Sequence, residues 1–195
     1  MPAMKLLMTL TGEARRALPG FTLIELMVTI TVVGILLSIG VPAFNNFVLN
    51  DRDAGQVNSL VGSLNYARSE AIKRGYGITV CPAAGGTTCN GTVWSGGWIV
   101  VDTNNADCNN APCVPLQNVT AMGGSNTLTP VGAAAGITFV SSGLATPAGN
   151  PALMIRVCDT RGAAFARDVE VNSTGRGAAS QTPGQSVAGT ALVCP

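Results

Sequence analysis

Apolar side chains fill almost every position from Phe21 to Val41, a run of 21 residues. At 1.5 Å per residue a helix of that length reaches about 30 Å, the thickness of a bilayer's hydrocarbon core. Core helices of soluble proteins are generally shorter and keep a polar face, so the run reads as a membrane span. Beyond Pro42 the pattern changes. Val57, Leu60, Val61, Leu64, Ala67, Ala71 and Ile72 recur at spacings of three and four, which makes one apolar stripe. Asn58, Asn65, Arg68, Lys73 and Arg74 lie between or beside them, and Gly75 supplies a stop signal. The expectation is one long helix from Phe21 to Arg74, bent or locally unwound near Gly40 and Pro42.

After Gly75 the texture turns to short β-rich runs separated by Gly, Pro and Asn. Strands are expected at residues 77–81, 98–102, 114–120, 136–140, 153–158 and 165–171, and loops at 103–113 and 141–151. Residues 175–189 are small and polar and read as a mobile loop, after which 191–194 should return to the sheet. One helix followed by an antiparallel sheet is an α+β arrangement, with the apolar stripe packed on the sheet. No internal repeat is visible.

Charge orients the span. Arg15 and Arg16 precede it, with Lys5 further upstream. The positive-inside bias therefore places the N-terminus in the cytoplasm and the residues after Leu49 outside it. Glu25 is the exception within the run, because a carboxylate at the bilayer centre costs about 2.5–3.5 kcal/mol. A secretory signal peptide would need a small-residue cleavage site after the apolar stretch, and Gly40-Val41-Pro42-Ala43 is a poor one. Pro19-Gly20, before the stretch, is the better processing site.

With 24 glycines, 5% aromatic and 11% charged residues, the exported part has limited apolar surface to bury and would benefit from covalent staples. It carries Cys81, Cys89, Cys108, Cys113, Cys158 and Cys194, and an even count in an exported domain reads as disulfides. The chain has no histidine and no pair of CxxC knuckles, which argues against a structural zinc site. Sequence leaves many pairings open. Proximity suggests Cys81–Cys89 and Cys108–Cys113, leaving Cys158–Cys194, whose long loop would contribute about 4 kcal/mol.

Candidate chemistry is sparse. Without histidine the usual Ser-His-Asp and Cys-His constellations are unavailable, and no phosphate-cradling glycine motif is present. Asp102, Asp107, Asp159, Asp168 and Glu170 fall on different segments and read as solvated loop and strand charges. Asp159-Thr160-Arg161-Gly162 has the composition of a hairpin turn. Trp94 and Trp98 frame a Gly-Gly turn, with at least one expected in the core; an exposed tryptophan touching a neighbouring subunit is the alternative.

Gly20 followed by Phe21-Thr22-Leu23-Ile24-Glu25-Leu26, behind a basic leader and with Pro42 downstream, resembles the prepilin signature of type IV pilins and their relatives. The resemblance implies cleavage between Gly20 and Phe21 by a prepilin peptidase, methylation of the new Phe21 amine, and assembly of the helix into a filament core. Cleavage would create a positive amine four residues before Glu25. An arriving subunit could present that amine to the Glu25 carboxylate of a docked neighbour, offsetting the cost of its burial. The chain then divides into a leader (1–20), a transmembrane and filament-core helix (21–49), its amphipathic continuation (50–75) and a β-rich domain (76–195).

Further stretches narrow the resemblance. "NYARSEAIKRG" (65–75), "ITVCP" (78–82), "WSGGWIVVD" (94–102), "ITFVSSG" (137–143), "VCDTRG" (157–162) and "VEVNSTGR" (169–176) resemble, in order, the minor-pilin family that includes FimT, FimU and the type II secretion pseudopilin GspH. This implies a non-enzymatic minor pilin without cofactor. It would sit in a bacterial inner membrane with its domain in the periplasm, surrounded by lipid before joining other pilins in a pilus. The alternatives are a pseudopilin of type II secretion and a DNA-uptake pilin. DNA-uptake relatives carry Gly-Arg-x-Arg near the C-terminus, where two guanidiniums meet phosphates. Here the stretch is Gly175-Arg176-Gly177-Ala178, with one arginine of the two. From Asp51 onward basic and acidic residues balance, so Arg176 reads as a solvated loop residue unless Arg156, Arg161 and Arg167 gather around it.

Overall fold

The computed structural model describes residues 20–84, 86–89, 93–103, 114–121, 123–131, 135–147 and 152–194. Helix α1 runs from Leu23 to Arg74, and its helical assignment passes through Pro42 without the local unwinding expected there. Gly75 ends it with a left-handed φ of 78°, its N–H donating to the Ala71 carbonyl at 3.0 Å. Residues up to Phe44 form one compact unit and Asn45–Pro195 another.

Among the described residues the second unit holds nine strands: β1 (Ile78–Pro82), β2 (Gly97–Asp102), β3 (Gln117–Thr120), β4 (Thr127–Pro130), β5 (Ile137–Phe139), β6 (Ala145–Thr146), β7 (Leu153–Cys158), β8 (Arg167–Val171) and β9 (Gly177–Ala179). They make two sheets, not the single one expected: β3-β2-β1-β5-β6 and β4-β7-β8-β9, with every pairing antiparallel.

The main core lies where the second half of α1 meets both sheets. Val57, Leu60, Leu64, Ala67 and Ala71 pack with Ile78, Val80, Trp98, Val100, Ile137 and Phe139 of the first sheet. The same cluster takes in Leu128, Leu153, Ile155, Val157, Val169 and Val171 of the second. Trp94, in a 3-10 turn, joins Trp98 there, so both tryptophans are core residues. Ile72, assigned to the stripe by its spacing, is exposed instead and lies beside Gly143, because Ala71 already takes the inward direction at that turn.

Each sheet also has a covered outer face. Beside β1 and β2, Cys81, Ala83, Ile99 and Val101 form a small second cluster closed by the Cys81–Cys89 disulfide. This explains why β2 is buried at almost every position rather than at alternate ones. On the second sheet Leu153, Ile155 and Val157 face the core, while Arg156 and Cys158 face outward under residues 181–194. There Arg156 donates to the Val193 carbonyl at 2.6 Å, and the Cys158–Cys194 disulfide closes a third cluster with Ala166 and Leu192. Residues 175–189 are thus no mobile loop: β9 lies within them, and Ser180 and Ser186 are buried. Nor do residues 191–194 return to a sheet; Ala191 makes one bridge with Gln185, and Leu192 donates to the Gly184 carbonyl. Cys108 and Cys113, and nearly all of the 103–113 loop, lie outside the described residues.

Candidate functional site

Gly20, Phe21 and Thr22 precede the helix in non-helical conformation, and Phe21 is 82% exposed. Thr22 starts the helix: its Oγ1 accepts from the Glu25 N–H at 3.2 Å and its carbonyl from the Leu26 N–H at 3.1 Å. Thr22-x-x-Glu25 is a capping-box sequence, and a carboxylate in the first turn also suits the positive end of the helix dipole. The other polar side chains of the apolar run are satisfied within it. Thr29, Thr31 and Ser38 donate to the carbonyls of Leu26, Met27 and Ile35 at 2.7–2.8 Å. That is what a helix surrounded by lipid requires, since hydrocarbon offers no partners. Considered by itself, this unit leaves its apolar side chains from Leu23 to Val41 exposed, with Glu25 as the one ionisable group among them. Such a surface is stable only against lipid or other apolar helices.

In the second unit several charged residues pair internally. Arg156 forks onto the fully buried Asp168, with Nε and Nη2 at 3.0 and 3.2 Å from the two carboxylate oxygens. Glu70 takes Arg74 at 2.6 Å and Lys73 at 3.4 Å. Arg68 donates to the carbonyls of Gly143 and Thr174, tying α1 to two turns. Arg161 lies in the β7–β8 turn, which forms as its composition suggested, with the Gly162 N–H on the Asp159 carbonyl. From there it reaches Asp159, Asp53 and Asn50. Burial, then the Asp159 charge, pushes the Asp53 carboxyl up to about 6, with Arg161 and Asn126 partly offsetting them. Burial also opposes ionisation of Asp159, but Arg161's hydrogen bonds outweigh it and hold that group below its ordinary value. Burial also raises Glu170.

The alternative gathering of Arg156, Arg161 and Arg167 around Arg176 does not occur, because the first two are consumed by Asp168 and by Asp53 with Asp159. Arg176 stands exposed in the β8–β9 turn, its backbone N–H on Asn172 Oδ1. Ala178, the position of the missing second arginine, lies in β9 opposite Glu170. Sequence reasoning missed the Asp53–Arg161 network. Its one signal is that Asp53 and Gln56 stand in phase with Val57 and Leu60, placing polar groups on the buried side of α1.

A capped, self-satisfied apolar helix leading into a helix-and-sheet domain defines the pilin class of membrane-anchored proteins. Two family models match: one described as type II transport protein GspH, over residues 56–175, and one as the prokaryotic N-terminal methylation motif, over residues 19–41. The chain belongs to the GspH family of type IV pilin-like proteins, which are structural and non-enzymatic. The type IV major fimbrial protein FimA of Dichelobacter nodosus is 34% identical over 74 residues, covering 38% of this chain and 43% of that protein, so the chain spans less than half of that relative. The fold is that of the Pseudomonas aeruginosa type IV minor pilin FimU. One crystal form gives a TM-score of 0.52 at 19% identity, over 65% of this chain and 90% of FimU. A second gives 0.53 at 19%, over 70% and 98%.

Proposed function

We propose that the chain is a minor pilin of a type IV pilus, placed in its tip or priming complex. In this reading a prepilin peptidase cuts between Gly20 and Phe21 and the Phe21 amine is methylated. The helix waits in the inner membrane with its leader cytoplasmic and its domain periplasmic. Glu25 then accepts the amine of a neighbouring subunit during assembly, and Pro42 lies within the packed helix. The carrying observation is the prepilin motif set directly before an exposed apolar helix whose one ionisable group is Glu25. Similarity to a fimbrial subunit favours the pilus. The type II transport description of the family supports the second reading, a secretion pseudopilin with the same physics in another machine.

The experiment is fractionation of sheared filaments from cells carrying the wild-type chain or Glu25→Leu. Wild-type chain should co-purify with pili, and Glu25→Leu should be processed yet remain in the membrane. Pili that lack the chain, in cells whose protein secretion fails on its deletion, would favour the pseudopilin. Wild-type incorporation of Glu25→Leu would remove the role given to that carboxylate.

A further inference from the structure

Two carboxylates from different elements converge on one nitrogen. Arg161 Nη2 lies 3.1 Å from Asp53 Oδ2 on α1 and 2.5 Å from Asp159 Oδ2 at the end of β7. Arg161 Nε donates to the same Asp159 oxygen at 2.6 Å, and Nη1 reaches Asn50 Oδ1 at 2.8 Å and the Asn46 carbonyl at 3.4 Å. The guanidinium lies 4.2 Å from the centre of the Phe165 ring. On the other side of Asp53, Asn126 Nδ2 donates to its Oδ1 at 2.5 Å and to Gln56 Oε1 at 3.0 Å. Asp53 is 3% exposed, Gln56 2% and Asn126 8%.

One guanidinium therefore serves two buried carboxylates. The other charged neighbours do not rebalance the site. Asp51 is exposed on α1, and Arg52 turns towards Gly124. Loop residues 123–126 bring no titratable group, and among the described residues Arg161 is the cation within ion-pair distance of Asp53. With both carboxylates ionised the cluster carries one uncompensated negative charge, surrounded by amides and an aromatic ring.

We propose that Asp53, Asp159 and Arg161 form a proton-operated latch that fastens the β7–β8 turn to α1 most firmly when Asp53 carries a proton. Protonated Asp53 donates its O–H to Asp159, leaving one carboxylate matched to one guanidinium. The sign follows from the shifted groups. Asp53 holds its proton up to about 6 in the folded chain, against 3.8 ordinarily, so the folded state takes up a proton that the unfolded chain releases. Stability must rise as pH falls from above 6 towards 4, by on the order of a hundredfold in the folding equilibrium. Below that, protonation of Asp159 removes the ion pair and the gain is lost. A domain outside the cytoplasm meets the acidity of its surroundings directly, so its grip on its own helix follows that acidity.

The test is urea unfolding of the full chain in detergent micelles, disulfides intact, followed by the fluorescence of the buried Trp94 and Trp98 between pH 4.5 and 8.5. Glu170 contributes a slope of the same sign, so the variant comparison is decisive. Asp53→Asn should flatten the dependence between pH 5 and 7 and unfold at higher urea than wild type at pH 8. Asp159→Asn, which removes the competing charge but leaves Asp53 buried beside Arg161, should shrink the Asp53 contribution. In parallel, carbon-13 titration of the wild-type aspartates should place one carboxyl, absent from Asp53→Asn, near 6. Parallel pH profiles for wild type and Asp53→Asn, or an Asp53 carboxyl titrating at its ordinary value, would overturn the latch. Should both variants fail to fold, assignment of the wild-type carboxyl signal decides the matter alone.

Discussion

Gly20 and Gly97 are glycines for different reasons. At Gly97 φ is 104° and a Cβ would run into the Val119 carbonyl of the neighbouring strand, so the fold itself demands glycine there. At Gly20 an added Cβ meets nothing within 4 Å. A side chain at position 20 is thus harmless to this chain, and under the proposed processing its effect would arise in the site of the prepilin peptidase. Gly20→Val should therefore leave an uncut precursor whose domain unfolds at the wild-type urea concentration. Mass spectrometry finding a mature N-terminus at Phe21 in that variant would refute the assignment. The same reasoning shows why candidate residues could be singled out from sequence in the N-terminal segment and not in the domain. Motif spacing marks Gly20, Phe21 and Glu25 directly, whereas Asp53, Asn126 and Arg161 become a group only when chain segments far apart in sequence meet.

At the scale of elements, α1 was readable because its stripe repeats over many turns, and β1, β2, β5, β7 and β8 because β-branched residues cluster in them. The strands that went unread are short and lack that signal. Thr127–Pro130 ends in proline at a sheet edge, and Ala145–Thr146 is two residues long. Gly177–Ala179 has little strand propensity, but its register with β8 sets it beside Leu64, where a Cβ on Gly177 would lie 3.8 Å away. The two described disulfides differ in the loops they close, with sequence separations of 8 for Cys81–Cys89 and 36 for Cys158–Cys194. Loop entropy gives about 2.5 kcal/mol for the shorter and about 4 kcal/mol for the longer. Joint replacement of Cys158 and Cys194 by serine should lower the urea midpoint more than joint replacement of Cys81 and Cys89. The opposite order would show that the small cluster under Cys81 matters more than loop length.

For the whole molecule, charge balance decides what partners it can attract. From Asp51 onward positive and negative residues cancel, and Arg74, Arg156 and Arg161 are held in ion pairs. Arg176 remains as an outward guanidinium on a turn. Duplex DNA should therefore bind weakly near physiological salt, with a log–log salt slope of about −1 to −2. Ala178→Arg should not supply the missing partner, because position 178 faces Glu170 across the strands and the new guanidinium would be captured there. Tight binding by the full chain in detergent, abolished by Arg176→Ala, would make DNA uptake the leading reading. A last consequence follows from the fastening of residues 181–194 to β7. Tension drawn along the polypeptide crosses from Cys158 to Cys194 through sulfur and bypasses the 36-residue stretch between them. About 120 Å of contour is thereby withheld from any pull, which in the proposed pilus would let this part of the subunit bear load without lengthening.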